Sequence, residues 1–371
     1  MTLLSLIAGC VQEPGDSPDE QFAREAFWEQ KVNAALEPIE CPAVPERGFP
    51  EGSYSGPLTD THLHIAAISD AGPGWVFDGS ETPVLGENVR VGDMACMLDH
   101  GAIEKAFVFF PVYDPIESPS IEVVKRAVEQ FPGRFVPFLM APDRDNDPGG
   151  YPTVDAGTLD GFLEVEPGLF KGFGESGLYA RQGGAAELPP DSQRLLEIYP
   201  VVKEHGLVVY FHLGEGQKEA FERVLEANPG VKFIWHGDQL VKYGENGAQD
   251  LSALEEILNN HSNAYYGVDE LYGDVWLIRS GKSKQDFMNH LKDRDALLEK
   301  DLKTWKGFIE RHPDQVLWGS DRGVVILWSM DLEVSKALTE YVRAFIGRLD
   351  PSVQEKFAYK NAERLIQGKT N

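Results

Sequence analysis

Eight short apolar runs that alternate with stretches of helical pattern constrain the fold of this chain most strongly. Gly or Pro marks most of their ends, and near-continuous apolar segments such as KAFVFF are typical of strands covered on both faces. Strands that alternate with helices predict parallel β-α-β units. Eight such units over about 300 residues predict an α/β fold of the (β/α)8 TIM-barrel type with insertions. An open doubly wound sheet is the alternative, but no G-x-G-x-x-G follows an early strand. The runs lie within residues 58–66, 104–112, 134–142, 169–178, 207–214, 231–239, 263–270 and 315–323.

Two histidines lie one residue apart in the first predicted strand, in the segment DTHLH. Side chains alternate across a strand, so Asp60, His62 and His64 share one face. In a barrel the two histidines would project inward near the C-terminal end of the strand, where such barrels place their chemistry. Two neutral imidazoles gain little from each other in an apolar core, whereas a divalent metal gives both a partner. Two histidines hydrogen-bonded in a polar pocket are the alternative.

Three more predicted strands end in residues that commonly bind metals. His212 ends the fifth strand, His236 ends the sixth, and Asp321 ends the eighth, each at or just before a Gly-containing loop. Because a buried polar residue needs a partner, the joint pattern favours a metal site over separate core histidines. Nitrogen and carboxylate ligands without thiolate suit zinc, with manganese, iron or nickel as alternatives.

The same segments resemble the amidohydrolase superfamily and, within it, the amidohydrolase-related family, from about residue 57 to residue 367. This resemblance implies that His62, His64, His212 and Asp321 form the metal site, and that His236 is a second-metal ligand or a catalytic acid/base. It also implies an enzyme, because the family includes zinc-dependent hydrolases of amides, esters and lactones, hydratases, and non-oxidative decarboxylases. The matching segments are DTHLH at 60–64, FHLG around His212, IWHG around His236, WGSD at 318–321 and KNAERLI at 360–366.

The fourth predicted strand places Lys171, Phe173 and Glu175 on one face. Many superfamily members with two metals use a carboxylated lysine on this strand. TatD-like deoxyribonucleases use a glutamate there, in a G-E-x-G-L setting that the segment GESGL resembles. By this resemblance Glu175 would bridge two ions, while an ion pair with a nearby Lys or Arg is the alternative. The WGSD and NAERLI segments slightly favour one ion over two.

The resemblance leads to a predicted hydrolytic mechanism. The metal would activate a bound water, Asp321 would accept its proton and pass it to the leaving group, and His236 would assist the oxyanion if it is not a ligand. A decarboxylase on the same site is one alternative. A non-catalytic, membrane-tethered binding protein is another, which the intact Asp321 disfavours. Weaker candidates for substrate binding are Tyr179, Arg181 and Arg322, on predicted C-terminal loops.

The charge of the chain bears on its partners. Lys and Arg total 34 and Asp and Glu total 60 among 371 residues, which gives a formal net charge of −26. A chain this acidic repels phosphate backbones, so we expect a small-molecule substrate and no nucleic acid. The oligomeric state is left open, with a homodimer as one option. The sequence contains no apolar run near the roughly 20 residues needed to cross a bilayer.

The first ten residues, MTLLSLIAGC, resemble a bacterial lipobox, in which a signal peptide is cut and the new N-terminal cysteine is lipidated. Cys10 would then anchor the chain to the cell envelope, on the periplasmic or extracellular side, through the polar tether that follows. A frayed N-terminus or a misassigned start codon is the alternative, since no Lys or Arg precedes the apolar run. The predicted organisation is a signal and tether at 1–20, a helix (21–40) and linker within 21–56, and the barrel at 57–371.

The remaining cysteines are Cys41 and Cys96. If the chain is exported, the two could form a disulfide outside the cytoplasm. The alternative for Cys96, in the helix-like segment DMACMLDHG, is a buried small apolar side chain. The sequence has no C-x-x-C or other metal-type cysteine spacing.

Overall fold

The barrel consists of eight parallel strands, in the spatial order β1-β2-β3-β4-β5-β6-β9-β10. The computed structural model describes residues 18–44, 48–68, 81–112, 119–141, 152–180, 186–237, 240–243, 249–269, 271, 282–323 and 327–367. Every predicted apolar run contains one of these strands, so the predicted (β/α)8 TIM barrel is confirmed. The strands are β1 (Thr59–His64), β2 (Lys105–Pro111), β3 (Phe135–Met140), β4 (Gly172–Gly177), β5 (Val208–His212), β6 (Phe233–His236), β9 (Ala264–Val268) and β10 (Val316–Trp318). A short antiparallel hairpin, β7 (Lys242–Tyr243) and β8 (Gln249–Asp250), lies outside the barrel.

Hydrogen bonds from the segment after β10 close the barrel against β1. The backbone N–H of Asp321 donates to the His62 carbonyl over 2.9 Å, and the His64 N–H donates to the Arg322 carbonyl over 2.9 Å. The Thr61 hydroxyl adds a bond of 2.8 Å to the Trp318 carbonyl. Because the bonds involve His62, His64 and Asp321 themselves, closure of the barrel also fixes three of the predicted site residues relative to one another.

Amphipathic helices cover the outside of the barrel. In α6, for example, Ala220, Phe221, Val224 and Leu225 form one buried stripe at helical spacing. The helices that separate the strands up to β9 are α2 (Val91–His100), α3 (Ser120–Gln130), α4 (Ala156–Val165), α5 (Gln193–Glu204), α6 (Lys218–Ala227) and α7 (Ser252–Asn260). Between β9 and β10 lie α8 (Lys284–His290), a 3-10 turn (Leu291–Asp293), α9 (Arg294–Asp301), a π-helical turn (Leu302–Lys306) and α10 (Gly307–Arg311). After β10 come a 3-10 turn (Leu327–Met330), α11 (Leu332–Ile346), α12 (Pro351–Glu355), a π-helical turn (Lys356–Lys360) and α13 (Asn361–Ile366).

The interior of the barrel is an aromatic core beneath the strand ends. Phe107, Phe109, Phe138 and Tyr210 are fully buried there, and each such side chain contributes roughly 1.5–3 kcal/mol by leaving water. The Phe109 ring lies 5.1 Å, centroid to centroid, from the rings of both His62 and His64. The strands therefore present the histidines on top of a packed floor, where their rings have little freedom.

The N-terminal helix α1 (Pro18–Leu36) packs on the barrel through Val32, Ala35 and Leu36, which are buried. The helix predicted over residues 21–40 is present but lies nearer the N-terminus. It ends before Pro38, because the residue that precedes a proline is disfavoured in helical conformation. Beyond α1, Cys41 forms a disulfide with Cys96 of α2, with the two Cα atoms 5.7 Å apart. Cys96 is also buried, so it is both a disulfide cysteine and a small buried side chain.

The C-terminal helix α13, which begins at Asn361 in the NAERLI segment, closes the N-terminal end of β10. The Asn361 side-chain amide donates to the carbonyls of Pro313 and Val316, over 2.9 and 2.8 Å. Nearby, His312 is buried against Phe308. Within the described part of the chain, no helix is both long enough and apolar enough to cross a membrane.

Candidate metal centre

Seven titratable side chains meet at the C-terminal ends of the barrel strands. Parallel register brings them together, since His212 of β5 lies beside His236 of β6 and beside Gly177 of β4. The structure thus gathers all six residues that the sequence predicted for the metal site, and adds one more. The seven are His62 and His64 of β1, Glu175 of β4, His212 of β5, His236 of β6, Asp269 after β9 and Asp321 after β10.

Four of these residues, two imidazoles and two carboxylates, place donor atoms 3.1–3.5 Å apart in five of their six pairs. The Nε2 atom of His62 lies 3.1 Å from Nε2 of His64, 3.2 Å from Oδ1 of Asp321 and 3.4 Å from Oε2 of Glu175. The His64 Nε2 atom lies 3.5 Å from the same Asp321 oxygen and 3.1 Å from the same Glu175 oxygen. Ligands bound at about 2.0–2.1 Å in a tetrahedron lie about 3.3–3.4 Å apart. We call these four residues the inner group.

The other oxygen of Glu175 faces a second pair of histidines. Its Oε1 atom lies 2.7 Å from Nε2 of His236 and 3.3 Å from Nδ1 of His212. The two imidazole rings lie 4.3 Å apart, centroid to centroid. Glu175 is therefore within 3.4 Å of four histidines and lies between the two pairs.

Sequence reasoning did not identify Asp269, although it closes the seventh predicted strand as His212, His236 and Asp321 close theirs. Its Oδ2 atom lies 2.6 Å from Nδ1 of His236 and 3.5 Å from Nδ1 of His62. The strand-end rule that found the other residues would have found this carboxylate too. A single Asp before a loop is common in any sequence, so this position alone does not indicate a site residue.

Burial and mutual contact set the charges of the site. Burial by itself raises the pKa of the Glu175 carboxyl. The charge of His236 and hydrogen bonds from His212 and His236 lower that pKa by more, so it lies well below its usual range. Burial lowers the pKa of His62, but Asp321, Asp269 and Glu175 raise it to about 9.

Burial and neighbouring charges also act in opposite directions on the pKa values of His236, Asp269 and Asp321. Burial lowers the pKa of His236, but the carboxylates of Asp269 and Glu175 raise it well above its ordinary value. Burial raises the pKa of Asp269, but His236 and His62 bring it below the usual range. Asp321 is similar, with His62 as the main lowering charge. The carboxylates are therefore ionised, and without an ion His62 and His236 hold protons in the positions that a divalent cation would take.

Backbone features hold the inner group in place. Asp60, fully buried, accepts hydrogen bonds from the His62 and Ser320 backbone N–H groups and from the Ser320 hydroxyl. It joins β1 to the segment after β10. Gly319 lies so close to His62 that an added Cβ would be 2.6 Å from the His62 Cβ. Asp321 has φ of 47°, a left-handed conformation that Asp tolerates better than most residues.

The weaker substrate-binding candidates fall in different places. The Tyr179 ring lies 4.6 Å from that of His212, centroid to centroid, at the edge of the site. Arg322 is fully buried, with its guanidinium 3.8 Å from the Asp60 carboxylate. Arg322 therefore lies where the segment after β10 closes against β1. This position does not support the predicted contact with substrate. Arg181 and Cys10 lie outside the described residues.

Comparison with known proteins identifies the family to which the chain belongs. The sequence pattern described as Amidohydrolase matches residues 122–367, which is about two thirds of the chain and includes five of the seven site residues. The chain belongs to the amidohydrolase family. The predicted family resemblance is thereby confirmed. No curated protein sequence matches the chain.

Solved structures share the barrel of this amidohydrolase. Two crystal forms of an amidohydrolase from Burkholderia multivorans match, one with bound HEPES (14% identity, TM-score 0.51) and one with bound zinc (12% identity, TM-score 0.50). Both matches cover 84% of this chain and 99% of the other. A 5-carboxyvanillate decarboxylase from Novosphingobium aromaticivorans, complexed with manganese, also matches (12% identity, TM-score 0.48, covering 85% of this chain and 97% of the other). At these identities the likeness shows the fold.

Proposed function

We propose that this protein is a metal-dependent hydrolase of a small organic substrate with an amide, ester or lactone bond. One observation carries the proposal: five distances among the four donor atoms of the inner group lie between 3.1 and 3.5 Å. Donor atoms at that spacing suit one divalent cation held by His62, His64 and Asp321, with Glu175 as a fourth candidate ligand. Separate core residues would have no reason to share this spacing.

The donor chemistry of the inner group fits zinc. Two imidazole nitrogens and two carboxylate oxygens match the ligands that zinc takes in proteins, while manganese and iron accept the same set. The bound zinc in the Burkholderia multivorans amidohydrolase agrees with this choice. The sequence slightly favoured one ion. A second would be held by His212, His236 and the Oε1 atom of Glu175, three groups that leave room for a water.

The residues of the chain have separate roles in this proposal. When bound, the ion would polarise the substrate carbonyl and make an adjacent water more acidic. Asp321 accepts the proton of the attacking water and returns it to the leaving group. Its side chain suits this role because 23% of it is exposed, against 0% for His62, so it faces the opening of the site. Where one ion is bound, His236 stays off the metal as an imidazolium, and its Nε2–H is available to donate a hydrogen bond to the developing oxyanion.

Metal analysis tests the site. Protein prepared without chelator should contain at least one equivalent of zinc, manganese or iron, measured by elemental analysis. A Glu175→Gln variant should lose affinity for the inner ion, and loss of a second equivalent from a wild type that holds two would establish a shared bridge. Wild-type protein that holds well below one equivalent, and takes up none on addition of zinc or manganese, would contradict the proposal.

A substrate panel tests the reaction. Esters, lactones and amides should include at least one compound whose hydrolysis requires the metal and Asp321. Small carboxylic acids belong in the same panel, because release of carbon dioxide would replace the proposed hydrolase with the decarboxylase alternative. Metal binding with no turnover of any class would favour the non-catalytic binding protein.

We also propose that the protein is held on the outer side of a bacterial membrane by a lipid on Cys10. The segment IAGC at 7–10 supports this proposal through its likeness to a lipobox. The Cys41–Cys96 disulfide gives independent support, since disulfides persist in oxidising compartments outside the cytoplasm.

A further inference from the structure

Two histidines of the site are held between two carboxylates. The Nε2 atoms of His62 and His236 both face Glu175, over 3.4 and 2.7 Å. Their Nδ1 atoms both face Oδ2 of Asp269, over 3.5 and 2.6 Å. Glu175 therefore lies on the metal-facing edge of both rings, and Asp269 lies on the opposite edge of both.

The position of Asp269 sets it apart from the carboxylates of the inner group. Its side chain is 5% exposed, whereas those of Glu175 and Asp321 are 12% and 23% exposed. It follows β9 and contacts His236 and His62. Asp269 contacts the nitrogen atoms that point away from the inner donor set, so it is placed to act on the metal through the histidines.

A carboxylate at Nδ1 determines where the proton of a neutral imidazole lies. An ionised carboxylate only accepts hydrogen bonds, so the ring must carry its proton on Nδ1 and keep the lone pair on Nε2. The Tyr210 hydroxyl also lies near Nδ1 of His62, at 3.4 Å, and a hydroxyl can either donate or accept. The charge on Asp269 makes it the stronger acceptor, so it decides the proton position.

We propose that Asp269 is a positioning residue that fixes the Nδ1–H form of His62, so that its Nε2 atom faces the inner ion, and of His236, so that its Nε2 atom faces a second ion where one is bound. The inference rests on the proposed metal site and adds the residue that orients its ligands. Carboxylates in this outer position hold the ring and raise the basicity of the ligand, and their loss commonly costs about 10–100-fold in metal affinity. The effect should be larger at His236, where the contact is shorter.

An Asp269→Asn variant tests the proposal at nearly constant volume. An amide can turn its NH2 group to Nδ1, which would move the ring proton to Nε2 and block the metal-facing lone pair. We expect zinc affinity, measured by competition with a chromophoric chelator, to fall about 10–100-fold. Asp314→Asn is the matched control, because Asp314 pairs with Lys356 and Arg364 at the surface, away from the site. It should leave the affinity within twofold of wild type.

Histidine 15N spectra give a readout that a merely structural role would not change. In wild type, zinc-loaded or metal-free at about pH 10, His62 should show a protonated Nδ1, with resonances assigned by difference against His62→Gln. In Asp269→Asn the proton should move to Nε2. Unchanged spectra together with unchanged zinc affinity would overturn the role of Asp269. A wild type that binds no zinc would instead contradict the proposed function, while the metal-free spectra would still decide this inference.

Discussion

At the scale of single residues, Asp321 has a conformation and a location that set it apart from the other carboxylates. One of its oxygens lies within the inner group, its side chain reaches the opening of the site, and its backbone closes the barrel onto His62. An Asp321→Asn variant keeps the volume and the backbone hydrogen bond but removes the proton acceptor. We expect turnover of a confirmed substrate to fall by at least about a hundredfold. The circular dichroism spectrum and unfolding temperature should stay close to wild type.

The matched control is Asp314→Asn, before β10 at the opposite end of the barrel. Asp314 pairs with Lys356 and Arg364 at the surface, where an ion pair contributes at most about 1 kcal/mol. Its removal should leave kcat unchanged. Wild-type turnover in the Asp321→Asn variant would show that another group accepts the proton.

Also at the residue scale, the pKa of His62 predicts how zinc binding depends on pH. Neighbouring carboxylates raise that pKa from 6.5 to about 9 in the folded, metal-free protein. The protonated ring therefore stabilises the folded, metal-free protein, and this contribution is complete below pH 6.5. This contribution is lost as the pH rises through 9. Zinc needs the neutral ring, so its affinity should rise with pH up to about 9 and then level off. Calorimetry at pH 7 in buffers with different ionisation enthalpies should show release of protons on binding. Binding without proton release would contradict the assignment of His62 as a ligand.

The sequence predicted five site residues from their positions near the ends of apolar runs, and Glu175 from the resemblance of its segment to TatD-like deoxyribonucleases. Asp269 also ends an apolar run, but its part in the site is recognised only from the two histidines that it contacts. These histidines belong to β1 and β6, far away in the chain. The buried position of Arg322 was equally hidden, since sequence places it on a loop while closure of the barrel draws it into the seam beside Asp60. Strand ends can be read locally, whereas contacts across the barrel cannot.

At the scale of elements, the eight strands were predictable and their closure was not. A strand covered on both faces is recognisable as a continuous apolar run, and KAFVFF and VVYF lie within β2 and β5. The last strand, β10, has three residues, and the segment after it completes the barrel through the left-handed turn at Asp321. Nothing in the pattern WGSD identifies that turn, because Asp is common in both extended and turn conformations.

The disulfide between the segment after α1 and helix α2 gives a prediction at this scale. It closes a loop of 55 residues, and a cross-link of this kind stabilises a fold by about 2–4 kcal/mol, in large part by restricting the unfolded chain. Reduction should therefore lower the midpoint of urea unfolding measured by fluorescence. The Cys41→Ser/Cys96→Ser double variant should unfold at the midpoint of the reduced wild type, and reductant should not shift it further. A wild-type midpoint that does not respond to reductant would show that the bond adds no stability.

At the scale of the whole molecule, the predicted anchor decides where the enzyme acts. The formal net charge of −26 gives the chain no electrostatic attraction to an anionic membrane, and no helix among the described residues can span a bilayer. In the proposal, membrane association comes from lipid on Cys10. A single acyl chain binds only marginally, so stable attachment needs the several chains of a lipoprotein.

In its native host, the full-length protein should therefore sediment with the membrane fraction and be extracted by detergent but not by high salt. The Cys10→Ala variant should appear in the soluble fraction with the same metal content, because Cys10 lies before α1 and far in sequence from the site residues. Intact-mass analysis of host-expressed protein should show an N-terminus at Cys10 that carries lipid. An unmodified Cys10, or a Cys10→Ala variant that remains in the membrane fraction, would show that the IAGC segment is not a lipidation site.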